Sequence, residues 1–264
     1  MDSQAPETLT TSYSGTHQES RSLIQWIMNH AISIAVALVV IMVGTFAFLV
    51  VRIHDERSQP IAVARVSGIP KTLSSHLAFI MSLSPLPKPS APGFTLTDQH
   101  GKTISLSSYK GRAIVLTFMD PHCTDICPLV SAEFIDAYHD LGADAPRVTF
   151  LAVNVNKYHA SVAAMDAFSS EHSLNGIPSW HFVTGRPNIL KSTWKKYGIT
   201  VYAPSRNADV IHAAYIYFID PNGRMRYLAN PSDLHSADGK AYLPPGSLTS
   251  WGKGISILAK SMLK

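Results

Sequence analysis

The sequence predicts an α/β fold in which helices flank a mixed central sheet, preceded by one membrane-spanning helix. Three observations carry this. Two continuous apolar runs, 113–119 and 148–155, have the length and composition of central strands covered on both faces. Stretches with helical spacing alternate with them, and an antiparallel hairpin comes near the end, a combination that gives a mixed sheet. Finally, no Asp, Glu, Lys or Arg lies between Arg21 and Arg52.

The elements follow in order. Residues 1–30 form a tail, here read as cytoplasmic. Residues 31–51, AISIAVALVVIMVGTFAFLVV, would make a helix about 31 Å long, close to the ~30 Å hydrocarbon core of a bilayer. A cleaved signal peptide has a shorter apolar run and a short basic start, so an uncleaved anchor is expected. Residues 52–92 read as a linker, ending in SPLPKPSAP, where Pro85, Pro87, Pro89 and Pro92 favour a stiff extended tether. The domain proper then runs from 93 to 264. Its first hairpin turns at DQHG (98–101). Strand 113–119 leads to a helix from about Pro128, and strand 148–155 to a helix at 161–172. A short strand at 180–183 and a helix at 188–197 follow. Strand 213–219 turns at DPNG (220–223) into 224–228. Trp251, Ile255, Leu258 and Met262, spaced four, three and four, mark a last helix.

Composition excludes several classes. Charged residues are 15% of the chain, too few for a disordered polyelectrolyte. The net charge is +4 and the bases are scattered, so no basic stripe points to nucleic acid.

The chain has two cysteines, Cys123 and Cys127, both in PHCTDICPL. They fall between a central strand and the start of a helix, where free N–H groups and the helix dipole favour thiolate. A disulfide closing so short a loop would add little stability, which argues against a mere staple. Thioredoxin-type enzymes usually place two residues between the cysteines and a proline before the facing strand. Here there are three, and no proline lies between Pro204 and Pro221; His212 stands at the strand entrance instead. Two thiolates and an imidazole form a soft three-donor set suited to copper or zinc, with a coordination position left open.

In these features the chain resembles the Sco/SenC family of membrane-anchored copper chaperones, over roughly residues 89–264. The matching pieces are GFTLTDQHGKTISLSSYKG (93–111), FMDPHCTDICP (118–128), WHFVTG (180–185), and His212 with the following AAYIYFIDPNGRMR. The resemblance implies a thioredoxin-like fold and copper, as Cu(I) or Cu(II), held by Cys123, Cys127 and His212. It also implies delivery to the binuclear copper site of a cytochrome c oxidase, with the oxidase subunit or its assembly factors as partners. Two departures stand out. The second central strand ends in Val153-Asn154-Val155-Asn156 where many members have an acidic residue, and 229–245, with His235 and Asp238, is not matched to the pattern here.

The competing reading is an extracytoplasmic thiol–disulfide oxidoreductase using Cys123 and Cys127 as a redox pair. A peroxide-reducing enzyme, which would need an Arg beside its cysteine, and a non-catalytic binding module rank below it. Among other residues, His122 is a candidate neighbour of the site rather than a ligand. Asp125 is a turn residue that would tune charge near the sulfurs. His181 reads as packing or surface, His100 as a turn residue, and His159, His172 and His235 as solvated. Trp251 reads as the core anchor of the last helix. The bases Arg52, Arg57, Arg65 and Lys71 after the span would place the following domain in the cytoplasm. Copper chemistry argues for the outer face of a bacterial cytoplasmic membrane, and that orientation is the one expected.

Overall fold

The computed structural model describes residues 16–58, 67–232 and 234–264. The chain divides into two units, Met1–Ala62 and Val63–Lys264.

The first unit contains helix α1 (Thr16–Ser58). The span expected at 31–51 is not confirmed as a single helix. Among the described residues no single helix is long and apolar enough to cross a membrane by itself. Two helical stretches, Leu23–Ala31 and Ala35–Val50, reach that length and composition together across a 58° bend. The apolar run begins upstream of Ala31, with Leu23, Ile24, Trp26, Ile27 and Met28, and Asn29, His30 and Ser33 interrupt it with polar groups. His30 turns its Nδ1 to the Trp26 carbonyl at 2.8 Å and stacks on the Trp26 ring.

The second unit is built on a six-stranded sheet. Its elements are α2 (Ser75–Ile80), β1 (Ser84–Pro85), β2 (Thr95–Thr97), β3 (Thr103–Ser105), β4 (Ala113–Met119), α3 (Ile126–Leu141), β5 (Val148–Asn154), α4 (Val162–Glu171), β6 (Trp180–Val183), α5 (Pro187–Lys196), β7 (Val201–Tyr202), β8 (Ile211–His212), β9 (Ile216–Ile219), β10 (Met225–Ala229), β11 (Leu234–His235), β12 (Ala241–Tyr242) and α6 (Ser247–Met262). The sheet order is β1-β10-β9-β4-β5-β6. Strands β4, β5 and β6 are parallel, and β9, β10 and β1 add antiparallel neighbours. This is the mixed sheet expected.

Alternation along β4 divides the core. Ala113, Val115 and Met119 face a cluster with Phe134 of α3, Phe168 of α4 and Ile255 and Leu258 of α6. Ile114, Leu116 and Phe118 face Leu96 and Ile104 of the β2–β3 hairpin and Leu190 and Trp194 of α5. Helix α6 lies against α3 so closely that a Cβ at Gly252 would meet the Asp136 Cβ at 2.5 Å. Both predicted turns form on a buried aspartate. Asp98 Oδ1 accepts from the His100 and Lys102 N–H groups, and Asp220 Oδ1 from those of Asn222 and Arg224.

Three boundaries differ from expectation. Helix α3 starts at Ile126, two residues before Pro128, because a proline in the first turn removes an N–H that has no helical partner there. Strand β9 starts at Ile216 rather than 213. The stretch 52–92 is not tether throughout. Helix α2 lies within it, Leu73 and Met81 are in the core, and Ser84–Pro85 pairs with β10 as the edge strand. A proline fits there because an edge strand can leave one N–H position unpaired.

Candidate metal and thiol site

The site forms where β4 ends and α3 begins. Cys123 N–H donates to the Asp120 carbonyl at 3.1 Å, closing the turn after the strand. Cys127 sits in the first turn of α3 and is 2% exposed, while Cys123 is half-buried. Both cysteines are free thiols.

The two sulfurs share a hydrogen bond, which shifts them in opposite directions. Cys123 is lowered from the ordinary thiol value to about 7, first by that bond and further by backbone contacts with Cys127 and Asp125 at the helix start, against the opposing effect of burial. Cys127 is pushed well up, first because it donates the bond to Cys123 and then by burial. Cys123 is therefore the more acidic of the two sulfurs, and the first to give a thiolate as pH rises.

His212 stands on β8, paired with Val201 of β7 in a two-stranded hairpin. Its Nδ1 lies 3.0 Å from the Ala213 carbonyl, and burial lowers its pKa, so the imidazole is neutral. Among the described residues no three His, Cys, Asp or Glu side chains are gathered as a metal-binding group. The structure thus brings Cys123 and Cys127 together and leaves His212 on the neighbouring hairpin, outside a ready coordination sphere.

Several residues near the cysteines were not singled out by sequence reasoning, or were assigned to solvent. Asp120 is 5% exposed. Its Oδ1 accepts from the His122 N–H at 2.9 Å, and both carboxylate oxygens accept from Asn156 Nδ2, at 3.0 and 3.2 Å. Asn156 is set in turn by buried Asn154, whose Oδ1 accepts the Asn156 N–H at 2.7 Å and whose Nδ2 donates to Asn156 and His159 carbonyls. The His122 and His159 rings touch in a tilted arrangement with centroids 3.7 Å apart. His159 Nε2 reaches the Arg206 carbonyl at 3.1 Å, tying this loop to the segment between β7 and β8. His235, on the β11–β12 hairpin, pairs with Asp125 between the two cysteines at 3.1 Å. His159 and His235 are therefore engaged rather than merely solvated. The signal for Asp120 was present as an acid directly before PHC, but a lone Asp at a strand end is usually only a turn former. His181 pairs with Asp98 at 3.1 Å and leans on Tyr109, a packing role as expected.

Comparison with known proteins gives the family and the fold. A SCO1/SenC family model matches residues 84–238, more than half of the chain. The SCO1 protein homolog of Bacillus subtilis is 28% identical over 134 residues, covering 50% of this chain and 69% of that protein. The mitochondrial SCO2 homolog of Bos taurus is 26% identical over 136 residues, covering 49% of this chain and 50% of the relative. Chloroplastic peroxiredoxin Q of Triticum aestivum is also similar, 27% identical over 139 residues, 53% of this chain and 56% of the relative. Among solved structures, a SCO1/SenC family lipoprotein from Bacillus anthracis superposes with a TM-score of 0.54 at 21% identity, over 69% of this chain and 98% of that one. Copper-bound ScoI of Bradyrhizobium japonicum gives 0.52 at 23%, over 66% and 99%. These neighbours share the fold, the thioredoxin-like α/β arrangement that the resemblance implied. The chain belongs to the SCO1/SenC family.

Proposed function

We propose that this chain is a membrane-anchored copper metallochaperone. It takes one copper ion through Cys123, Cys127 and His212 and delivers it to the binuclear copper site of a respiratory cytochrome c oxidase. The acceptor is the subunit that carries that site, or an assembly factor acting on it. The observation that carries this reading is the sulfur pair at the start of α3, with the Cys123 thiol lowered to about 7.

The donor set fits this cargo. Thiolates select Cu(I), and a neutral imidazole extends the set to Cu(II). Burial keeps His212 neutral and so available as a donor. Cys127 loses its proton as the ion arrives, because metal binding competes with protons for the sulfur. The short β7–β8 hairpin is the element that would bring His212 onto the ion. Three donors leave a position through which an acceptor's ligand can enter and draw the ion away. The copper-bound ScoI proteins of Bradyrhizobium japonicum and Arabidopsis thaliana support the choice of metal.

The domain works on the extracytoplasmic side of a bacterial cytoplasmic membrane. The apolar part of α1 serves as its single anchor, bent where polar residues interrupt it. Tethering gives a high effective concentration at neighbouring membrane complexes, so docking need not be tight.

The second reading, a thiol–disulfide oxidoreductase, is favoured by the opposite shifts of the two thiols. A more accessible low-pKa sulfur that attacks and a buried one that resolves is the arrangement such chemistry uses. His212→Ala separates the two. A chaperone loses Cu(II) affinity strongly and keeps its thiol exchange. A variant that loses thiol exchange while keeping full Cu(II) affinity identifies the oxidoreductase.

A further inference from the structure

We propose that the two short hairpins tied to the cysteine turn, β7–β8 and β11–β12, form a docking surface for an acceptor protein that presents an apolar patch rimmed by carboxylates. This deepens the copper-delivery reading above and rests on it.

Among the described residues of the second unit, five large hydrophobic side chains are exposed. One is Phe79 on α2. The other four are two cross-strand pairs. Tyr202 lies opposite Ile211 across β7–β8, at 60% and 67% exposure. Leu234 lies opposite Tyr242 across β11–β12, at 48% and 44%. Contact across a hairpin covers only part of each side chain. Apolar groups left in water next to a functional site mark a surface that another molecule covers.

Both hairpins are tied to residues around the cysteines. His235, next to Leu234, pairs with Asp125, which lies between Cys123 and Cys127. On the other side the His122 and His159 rings touch, and His159 Nε2 reaches the Arg206 carbonyl at 3.1 Å. Arg206 Nη1 in turn donates to the Tyr158 carbonyl at 2.9 Å. Arg206 belongs to the segment that joins β7 to β8. Side chains alternate along a strand, so the apolar pairs are on the faces opposite His212 and His235. An acceptor that covers the cysteine turn meets both hairpins.

Charge selects the occupant. From 172 to 208 the chain holds five Lys and Arg residues and no Asp or Glu. Lys191 and Lys195 of α5 join Lys157 around a groove of about 380 Å³, which also includes Val201, the residue opposite His212. Among the described residues none of these three lysines pairs with a carboxylate. A second copy of this chain would set base against base. A bilayer pressed on both hairpins would close off the sulfurs from any acceptor. A protein with carboxylates around an apolar centre satisfies both the charge and the apolar pairs, and is steered to them as it approaches.

The test uses the full chain in detergent and, as probe, the soluble copper-site domain of the oxidase subunit from the same cell. Tyr202→Ser/Ile211→Ser and Leu234→Ser/Tyr242→Ser should each weaken binding to that domain on the order of tenfold and slow Cu(I) transfer to it, with Cu(I) affinity unchanged. Tyr202→Phe/Ile211→Val, which keeps the apolar surface, and Phe79→Ser on α2 should behave as wild type. Lys195→Glu should lower the association rate and flatten its salt dependence, whereas Lys253→Glu on α6, across the sheet, should not. Unchanged binding in both hairpin variants would overturn the proposal, as would a wild-type chain that does not bind the domain. Loss of self-association, or of binding to phosphatidylglycerol vesicles, with affinity for the domain intact would assign the hairpins to a second copy or to the bilayer and overturn it too. If the wild-type chain takes up no copper, but the reduced metal-free chain binds the domain and the hairpin variants weaken that binding, the chaperone reading fails and the docking surface stands.

Discussion

Cys123 and Cys127 share a hydrogen bond between their sulfurs, and it lowers one thiol while raising the other. The pair is thereby divided into a ready nucleophile or first ligand, half-exposed, and a protected second sulfur inside the first turn of α3.

Alkylation kinetics should report that division. In the reduced chain Cys123 should react with a titration midpoint near 7, and Cys127 should stay protected at neutral pH. Cys127→Ala removes the donor, so the Cys123 midpoint should climb toward the ordinary thiol range. Its rate at pH 7 should then fall roughly tenfold. Peptide mass spectrometry after timed iodoacetamide pulses measures both sites together.

Glu133 gives a stability prediction of defined sign. It is 1% exposed, its Oε2 has no hydrogen-bond partner, and burial raises its carboxyl well above the ordinary range. The folded state therefore binds more protons than the unfolded state above the ordinary carboxylate pKa. Its contribution is fully present below that value and is lost as pH rises toward the raised one. Glu133→Gln should raise Tm at pH 8, and the gain should shrink to nothing near pH 4. Thermal melts across that range decide it; a gain that grows toward acid pH contradicts it.

The close approach of α6 to α3 should be intolerant of one methyl group. Gly252→Ala would put a Cβ 2.5 Å from the Asp136 Cβ and 3.1 Å from the Ala137 nitrogen. Backbone atoms yield poorly, so a loss of about 1–3 kcal/mol is expected, measured by denaturant unfolding. Because α3 carries Cys127, copper affinity should fall with it.

Topology is tested by reporters fused at Lys264 that work only inside or only outside the cytoplasm. Activity outside is expected. Activity only in the cytoplasm would overturn both the orientation and the oxidase as acceptor, and would vindicate the bases that follow the apolar run.

Much of this molecule is legible in its sequence, for physical reasons. Strands β4 and β5 are buried on both faces and so read as unbroken apolar runs, and the DQHG and DPNG turns name their own geometry. The sulfur pair is legible because two cysteines sit at a strand-to-helix turn. The rest depends on partners distant in sequence. Nothing local in His235 tells of Asp125, 110 residues away, nor in Asn156 of Asp120. The β7–β8 and β11–β12 hairpins have strands of two residues, too short to show a period. Edge strand β1 lies inside a proline-rich stretch whose composition points to a tether.

The central claim is that the sulfur pair is a copper site, and Cu(I) competition against a chromophoric chelator tests it most directly. The reduced wild-type chain should take one Cu(I) per chain from the chelator. Cys123→Ala and Cys127→Ala should each lose that tight binding, and His212→Ala should keep most of it, because two thiolates can hold Cu(I) in linear geometry. Stoichiometric Cu(I) retained by the Cys123→Ala/Cys127→Ala double variant, or none taken by the wild type, would contradict the account.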